Sequence, residues 1–362
     1  MQIKSLSVVG FRNFSSVKVE FSDGVNILSG DNGSGKTNLL EAIHTLCLGR
    51  SQRGAGDQVL LGSQSDVYRL EGELQNENEI CDVTAAYQRG GRKKLTIDGL
   101  SARLSELYEH FSVVSAGPED NGVVADSPSV RRAFLDIHLS QLSFSYLTDL
   151  SDYQRALAQK NAALKSEGDS SPFDTIMVAV GSRIMHARAR FIADVNQLAS
   201  AFYRRLSSGE ELAIEYRPSV SFDQIQSDSE AIAASMKARL EQMHNREAIL
   251  QTALVGPHRD DMYFGLADLP ARSHGSQGQW RSIAIVLKLA VFDLLKKRRG
   301  QTPILLLDEV FAELDAKRCD ALIGAFGDMG QLFLTTAVTA PDSLRQNSRN
   351  FEIVDGKVEM VG

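Results

Sequence analysis

Eight consecutive residues, Gly30-Asp31-Asn32-Gly33-Ser34-Gly35-Lys36-Thr37, match the pattern G-x-x-x-x-G-K-[ST] without deviation. The flanks agree with it. Residues 25–28 read as a short apolar strand that runs directly into the loop. Residues 36–48 then carry Leu39, Leu40, Ile43, Leu46 and Cys47 on one helical face. Strand, glycine-rich turn and helix together bring backbone amides and a helix dipole onto a phosphate. Lys36 is placed to reach the β- and γ-phosphates of a nucleotide, and the Thr37 hydroxyl to ligate magnesium. The segment 30–38, ending in Asn38, is therefore the expected phosphate site.

A second half of such a site lies far downstream. Residues 303–307 form an apolar run of the kind found in central parallel strands, and it ends in Asp308-Glu309. Acids at the carboxyl end of a strand sit where open α/β sheets bind ligands. Asp308 is the expected magnesium anchor, and Glu309 is placed to polarise an attacking water. The same pair could instead cap a helix after a core strand, but an intact phosphate loop argues for the chemical role. Lys36 and Asp308 lie 272 residues apart. A large insertion between the halves accounts for that distance.

The pattern along the chain supplies one. Residues 1–9, 17–21, 67–74, 80–87 and 94–97 alternate or cluster as strands, with Arg89-Gly90-Gly91-Arg92 as a turn. Past Pro128 the texture changes. Residues 131–165 and 173–206 are rich in Ala, Leu, Arg and Gln, are nearly free of Gly and Pro, and are separated by a polar break at 167–172. They predict an antiparallel helical hairpin, with a further helix over 229–250 and one strand-like run at 212–216. A helix of roughly 34 residues would be about 50 Å long. The α/β pattern returns near Val255 and closes with a hairpin at Asp355-Gly356. The expected fold is α/β: a P-loop nucleotide-binding head from 1–122 and 249–362, with an all-helical, coiled-coil-like arm over 123–248.

Composition excludes some classes. With 43% hydrophobic and 23% charged residues the chain reads as an ordinary soluble protein. No run approaches the ~18 apolar residues of a membrane helix, and the first residues lack the form of a secretory signal. Cys47, Cys81 and Cys319 have neither metal nor disulfide spacing. A cytoplasmic location is expected. The net charge is −7, from 39 basic and 46 acidic residues, so any DNA contact must come from a local basic surface. Arg89, Arg92, Lys93 and Lys94 form the best such cluster in the head, although a solvated turn has the same composition. Lys296-Lys297-Arg298-Arg299 end a helix before Gly300, where cations favour the dipole. Arg131 and Arg132 could touch DNA or pair with nearby acids. His258 and His274 lack a second ligand at metal spacing and read as hydrogen-bonding groups.

The phosphate loop, Ser276-Gln277-Gly278-Gln279 and the run from Leu307 to Asp315 together resemble the ATP-binding-cassette heads of the structural-maintenance-of-chromosomes type. Gly10-Phe11-Arg12-Asn13-Phe14, residues 131–136 and residues 256–261 extend the resemblance over the whole chain, in order. The short arm is similar to that of the bacterial DNA replication and repair members. The resemblance implies that Ser276, Gln277, Gly278 and Gln279 form a signature loop that contacts the γ-phosphate of ATP held by the other subunit. It implies that Asp315 belongs to a loop crossing the dimer interface, and that Arg12 and Asn13 lie near the nucleotide. Pro118-Glu119-Asp120 falls where the family has a switch loop, and Thr335-Thr336 where it has a γ-phosphate sensor. Three positions depart from the family's habit: Ala312 for the commoner Ser, Glu309 for a frequent Asp, and Trp280 for a polar residue. None removes a needed group.

The function implied is an ATP- and Mg2+-dependent homodimer with weak ATPase activity. It would bind double-stranded and gapped DNA at single-strand junctions and assist recombinase loading with recombination mediator proteins, in DNA-damage repair and replication. The rivals are a chromosome-organising clamp of the same type, against which the short arm speaks, and the ATPase subunit of a transporter, which would need membrane-coupling surfaces.

Overall fold

A computed structural model describes residues 1–76, 79–207, 209–311, 330–337, 342–345 and 348–361. In chain order the elements are β1 (Gln2–Phe11), β2 (Phe14–Glu20), β3 (Val25–Ser29), α1 (Lys36–Leu48), β4 (Val67–Asn76), β5 (Glu79–Gln88), β6 (Lys94–Ile97), β7 (Leu100–Ser101), α2 (Leu104–His110) and β8 (Val113–Ala116). The helical stretch follows: α3 (Pro128–Leu142), α4 (Phe144–Lys165), α5 (Ser171–Leu206), β9 (Leu212–Arg217) and α6 (Ser229–Leu250). The chain closes with β10 (Asp261–Leu266), β11 (Leu269–Pro270), α7 (Gln277–Arg299), β12 (Ile304–Asp308), β13 (Leu332–Thr336), β14 (Ser348–Val354) and β15 (Lys357–Met360).

Two compact units result. One contains Met1–Asp120 and Ala284–Gly362, the other Asn121–Ile283. In the first, or head, unit the sheet order β15-β14-β3-β13-β12-β8 is parallel from β14 to β8, with β15 antiparallel at the edge. The central strands β12 and β13 are buried at every position, as their unbroken apolar sequence requires. A second sheet, β2-β1-β4-β5-β6-β7, is antiparallel and alternates buried with exposed residues. The phosphate-loop helix α1 is buried along nearly all of its length, including Leu39, Leu40, Ile43 and Leu46 at 0% exposure. Burying such a side chain is worth about 1.5–3 kcal/mol, so the helix that carries the loop is held as firmly as any core element. Val354 pairs with Lys357 across Asp355 and Gly356, both with positive φ, which makes the expected two-residue hairpin.

In the second unit the predicted first limb, 131–165, is not one helix. Ser143 is extended (φ −150°, ψ 115°), and its hydroxyl accepts the Tyr146 amide at 3.3 Å as the N-cap of α4. A serine that caps locally competes with helix continuation, and the limb splits into α3 and α4. The second limb is the single 36-residue helix α5. The strand-like run at 212–216 is β9, and it pairs with β10, which pairs with β11. Those ladders group residues 249–283 with the helical unit, whereas the periodicity of the sequence assigns them to the head.

Candidate nucleotide-binding site

The sheet order sets the head site. Strand β13 lies between β3 and β12, so the phosphate loop leaving β3, the acids ending β12 and the threonines ending β13 emerge side by side at the carboxyl edge. The phosphate loop needs its glycines. Gly30 has φ 145°, and a Cβ there would stand 2.3 Å from the Ile353 carbonyl oxygen. Gly35 has φ 120°, and a Cβ would meet the Asn13 side chain at 2.5 Å.

Lys36 is 3% exposed, and its Nζ donates to the carbonyls of Gly30 (2.8 Å) and Asp31 (3.1 Å). Among the described residues its nearest carboxylate, Glu309 Oε1, is 3.4 Å away. Thr37 Oγ1 donates to Asp308 Oδ1 at 2.9 Å, closing a distance of 271 residues in sequence. The same Oδ1 accepts Thr335 Oγ1 at 2.6 Å, and Thr335 Oγ1 accepts the Glu309 amide at 2.9 Å. One threonine thus fixes both acids. Glu309 has φ 49°, a left-handed backbone unusual for a non-glycine residue, of the kind that clusters at functional sites. Thr336, 7% exposed, ends β13 opposite Ser29.

Two observations test whether a nucleoside triphosphate and a divalent cation suit these residues. The Ser34 hydroxyl, inside the glycine loop, is buried without a hydrogen-bond partner among the described residues. A buried orphan of this kind calls for a ligand atom. Thr37 Oγ1 and Asp308 Oδ1 are hard oxygen donors turned toward one another, the donor type magnesium prefers. The residues fit the group.

The turn between β1 and β2 supports the loop. Asn13 Nδ2 donates to the Ser34 carbonyl at 2.9 Å, and Asn13 Oδ1 accepts Asn38 Nδ2 at 2.8 Å. Arg12, expected near a nucleotide, makes a two-pronged ion pair with Glu41 of α1, the phosphate-loop helix, Nε to Oε2 at 2.8 Å and Nη2 to Oε1 at 3.1 Å. Glu41 is fully buried and also accepts Ser51 Oγ at 2.5 Å. Sequence reasoning missed Glu41, though an acid inside the apolar face of a helix is itself a signal of a buried partner. In the loop Pro118–Asn121, Asp120 accepts Lys288 Nζ at 2.9 Å and the Gly117 amide at 2.8 Å, while Glu119 pairs with Arg53 at 2.7 Å.

The signature-like residues belong to the other unit. Ser276, Gln277 and Gly278 are exposed at the start of α7. The Ser276 amide donates to Gln279 Oε1 at 2.8 Å, and the Gln279 amide donates to Ser276 Oγ at 3.2 Å. This reciprocal pair is a capping box, so the helix end keeps its remaining amides directed outward. Asp315, with Ala312, lies outside the described residues.

The other candidates divide. Arg131 pairs with Asp261 at 2.5 Å, and Arg132 donates to the Asp260 carbonyl at 2.9 Å, so both serve the packing of the helical unit. His258 shares a hydrogen bond with Tyr153 at 2.6 Å, and burial lowers its pKa to about 4. No cluster of three His, Cys, Asp or Glu side chains that could hold a metal occurs among the described residues. Arg299 donates to the carbonyls of Tyr108 (2.7 Å) and Phe111 (3.1 Å), which closes the end of α2. Of the four hairpin cations, Arg89 pairs with Asp66 at 2.8 Å and Lys93 with Asp57 at 2.6 Å, while Arg92 and Lys94 are exposed. No helix among the described residues is long and apolar enough to cross a membrane.

This chain is similar to the DNA replication and repair protein RecF of Staphylococcus aureus (strain JH9), with 35% identity over 370 residues covering 99% of this chain and 100% of that one. Two solved structures of the recombination mediator protein RecF in the RecFOR pathway superpose on it. The RecF-ATP structure does so with a TM-score of 0.91 at 30% identity, covering 99% of this chain and 97% of that one. The RecF-ATPrS structure gives 0.90 at 30% identity, covering 100% and 98%. The RecF/RecN/SMC N-terminal domain family matches residues 2–354. A parallel sheet edge carrying a complete phosphate loop, a helical insertion between its two halves and end-to-end similarity to RecF converge, and the chain belongs to the RecF/RecN/SMC family, in its RecF branch.

Proposed function

We propose that this protein is an ATP-driven dimer that binds gapped DNA and single-strand/double-strand junctions and helps load a recombinase there, in recombinational repair and replication. One observation carries the nucleotide part: the Thr37–Asp308 hydrogen bond, which joins the phosphate loop to the acid-tipped strand beside Lys36. The relatives support the rest, being recombination mediators of the RecFOR pathway and a DNA replication and repair protein.

Residues 30–38 cradle the phosphates, with the amides of Gly33 to Thr37 and Lys36 Nζ as donors. Lys36, which donates to two loop carbonyls, would supply the positive charge for the β- and γ-phosphates. Asn13 keeps the loop in shape. Thr37 and Asp308 would hold magnesium, which would supply charge neutralisation at the phosphates. Glu309 takes a proton from the attacking water, and Thr335 keeps that acid in place through its amide. Thr336, the last residue of the neighbouring strand, is the γ-phosphate sensor in this reading. Ser276 to Gln279 close the site of a second copy, with Asp315 at the same interface. Hydrolysis is slow and serves as a switch. Arg89, Arg92, Lys93 and Lys94 are the DNA-facing candidates in the head, and the exposed pair Arg92 and Lys94 carries more of that role than the two ion-paired residues.

Mixing two variants tests the composite site. Ser276→Arg alone should bind ATP as a monomer yet fail to dimerise, and Lys36→Ala alone should fail at both. Mixed together they form a heterodimer with one doubly defective site and one intact site. Partial recovery of ATP-dependent dimerisation, read by sedimentation, together with ATP-dependent retention of gapped DNA, is expected. Loss of monomer ATP affinity in Ser276→Arg, without recovery on mixing, would mean that the loop acts within its own subunit and would end the dimeric reading.

A further inference from the structure

The exposed signature loop is held from behind by a residue no motif marks. Gln279 has its Oε1 committed to the Ser276 amide at 2.8 Å. Its Nε2 donates to both carboxylate oxygens of Glu210, at 2.9 Å and 3.2 Å. Glu210 in turn accepts the hydroxyl of Tyr203 at 2.9 Å, and Tyr203 is 1% exposed in the last turns of α5. The turn just before the loop is tight: a Cβ on Gly275 would meet the Ala271 carbonyl oxygen at 2.6 Å and Trp280 Nε1 at 2.8 Å. Trp280 Nε1 itself donates to that carbonyl at 2.7 Å.

The chemistry of the Gln279 amide makes Glu210 decisive. A side-chain amide has a donor end and an acceptor end of nearly equal shape, and only its neighbours choose the orientation. A carboxylate accepts and cannot donate. It therefore selects the NH2 end of Gln279 and leaves the oxygen facing the Ser276 N–H. With the amide reversed, two donors would face each other at Ser276, and the capping box would open.

We propose that Glu210 is a positioning residue for the signature loop: through Gln279 it fixes Ser276 and the helix-start amides in the geometry that accepts the partner subunit's ATP, and Tyr203 ties that geometry to the long helix α5. This deepens the composite-site reading above and rests on it. In this reading Glu210 acts through Gln279 rather than on the nucleotide itself. Its removal leaves the phosphate loop of its own subunit intact and damages only the surface offered to the partner.

The test uses the full chain with Glu210→Ala, Glu210→Gln, Gln279→Ala, the Glu210→Ala/Gln279→Ala double variant, and Ser276→Arg as a reference. ATP affinity of the monomer is read by titration, ATP-driven dimerisation by sedimentation, and turnover by phosphate release. Glu210→Ala should keep wild-type monomer affinity while weakening dimerisation by roughly 10- to 100-fold, the scale of a misplaced site group. Glu210→Gln keeps the side-chain shape but can turn either a donor or an acceptor toward Gln279, so it should recover only part of the loss, whereas a role in packing alone would be restored in full by this isostere. The double variant should be no worse than Gln279→Ala. Wild-type dimerisation by Glu210→Ala while Ser276→Arg fails to dimerise would overturn the role of Glu210 and leave the composite site standing. Wild-type dimerisation by both variants would bring down the composite site and this inference with it. Multiplying effects in the double variant would equally overturn the proposal, since Glu210 would then not act through Gln279.

Discussion

Three buried cations are equally removed from water but differently partnered. In the helical unit Lys160 and Arg188 are 0% and 2% exposed, and in the head Lys36 is 3% exposed. Lys160 Nζ meets Asp174 and Glu247, both at 2.6 Å. Arg188 meets Asp136 at 2.8 Å, Asp260 at 3.0 Å and the Pro257 carbonyl at 2.6 Å. Asp260, 0% exposed, also accepts Tyr216 and the Ser219 amide. Among the described residues Lys36 has two neutral carbonyls and one carboxylate no nearer than 3.4 Å. Removing a charge from water costs several kcal/mol, and close opposite charges offset it. The helical unit completes that compensation internally, as a scaffold does. The head leaves it incomplete beside a buried Ser34 hydroxyl with no partner among the described residues, as a site reserved for an anion does.

Four substitutions bear on that contrast. Lys36→Ala is expected to have the largest effect: loss of tight ATP binding, of ATP-driven dimerisation and of ATP-stimulated DNA binding, with the melting temperature shifted by only a few degrees. A large stability loss with ATP binding retained would reverse the contrast. Glu309→Gln should slow turnover by about 10²–10⁴-fold while keeping ATP binding, leaving a long-lived dimer. Unchanged turnover in a phosphate-release assay would move the base role to Asp308 or to a group from the partner. Arg188→Ala strands Asp136 and Asp260 and should cost about 3–5 kcal/mol in urea unfolding, with the ATP affinity of the folded protein preserved. A cost below about 1 kcal/mol would mean the cluster is not the scaffold it resembles. Asn13→Ala removes two hydrogen bonds that shape the phosphate loop, each worth about 0.5–1.5 kcal/mol, and should weaken ATP binding by roughly 3- to 30-fold. A calorimetric titration that finds no change would show that the loop holds its shape through its glycines alone.

Much of the head was legible because its signals are local. A phosphate loop is one contiguous string, and an apolar run ending in acids announces a central strand and its carboxyl edge. The alternating strands of the second sheet and the Asp355-Gly356 hairpin are equally short-range. The split of the first long helix at Ser143 was less legible, because a serine within a helical pattern can cap a new helix or continue the old one, and periodicity does not distinguish the two.

The order of residues alone was enough to show that the chain is α/β, that it carries a phosphate-loop string, and that a helical insertion interrupts the α/β pattern. Only the tertiary structure decided which neighbour each polar side chain takes. It gave Arg12 to Glu41, Thr335 to the acids of β12, Arg131 to Asp261, and the Gln279 amide to Glu210. The physical reason is that backbone periodicity is written in neighbours a few residues apart. A hydrogen bond between residues 10 or 271 apart depends on strand order and side-chain packing, which no short window contains.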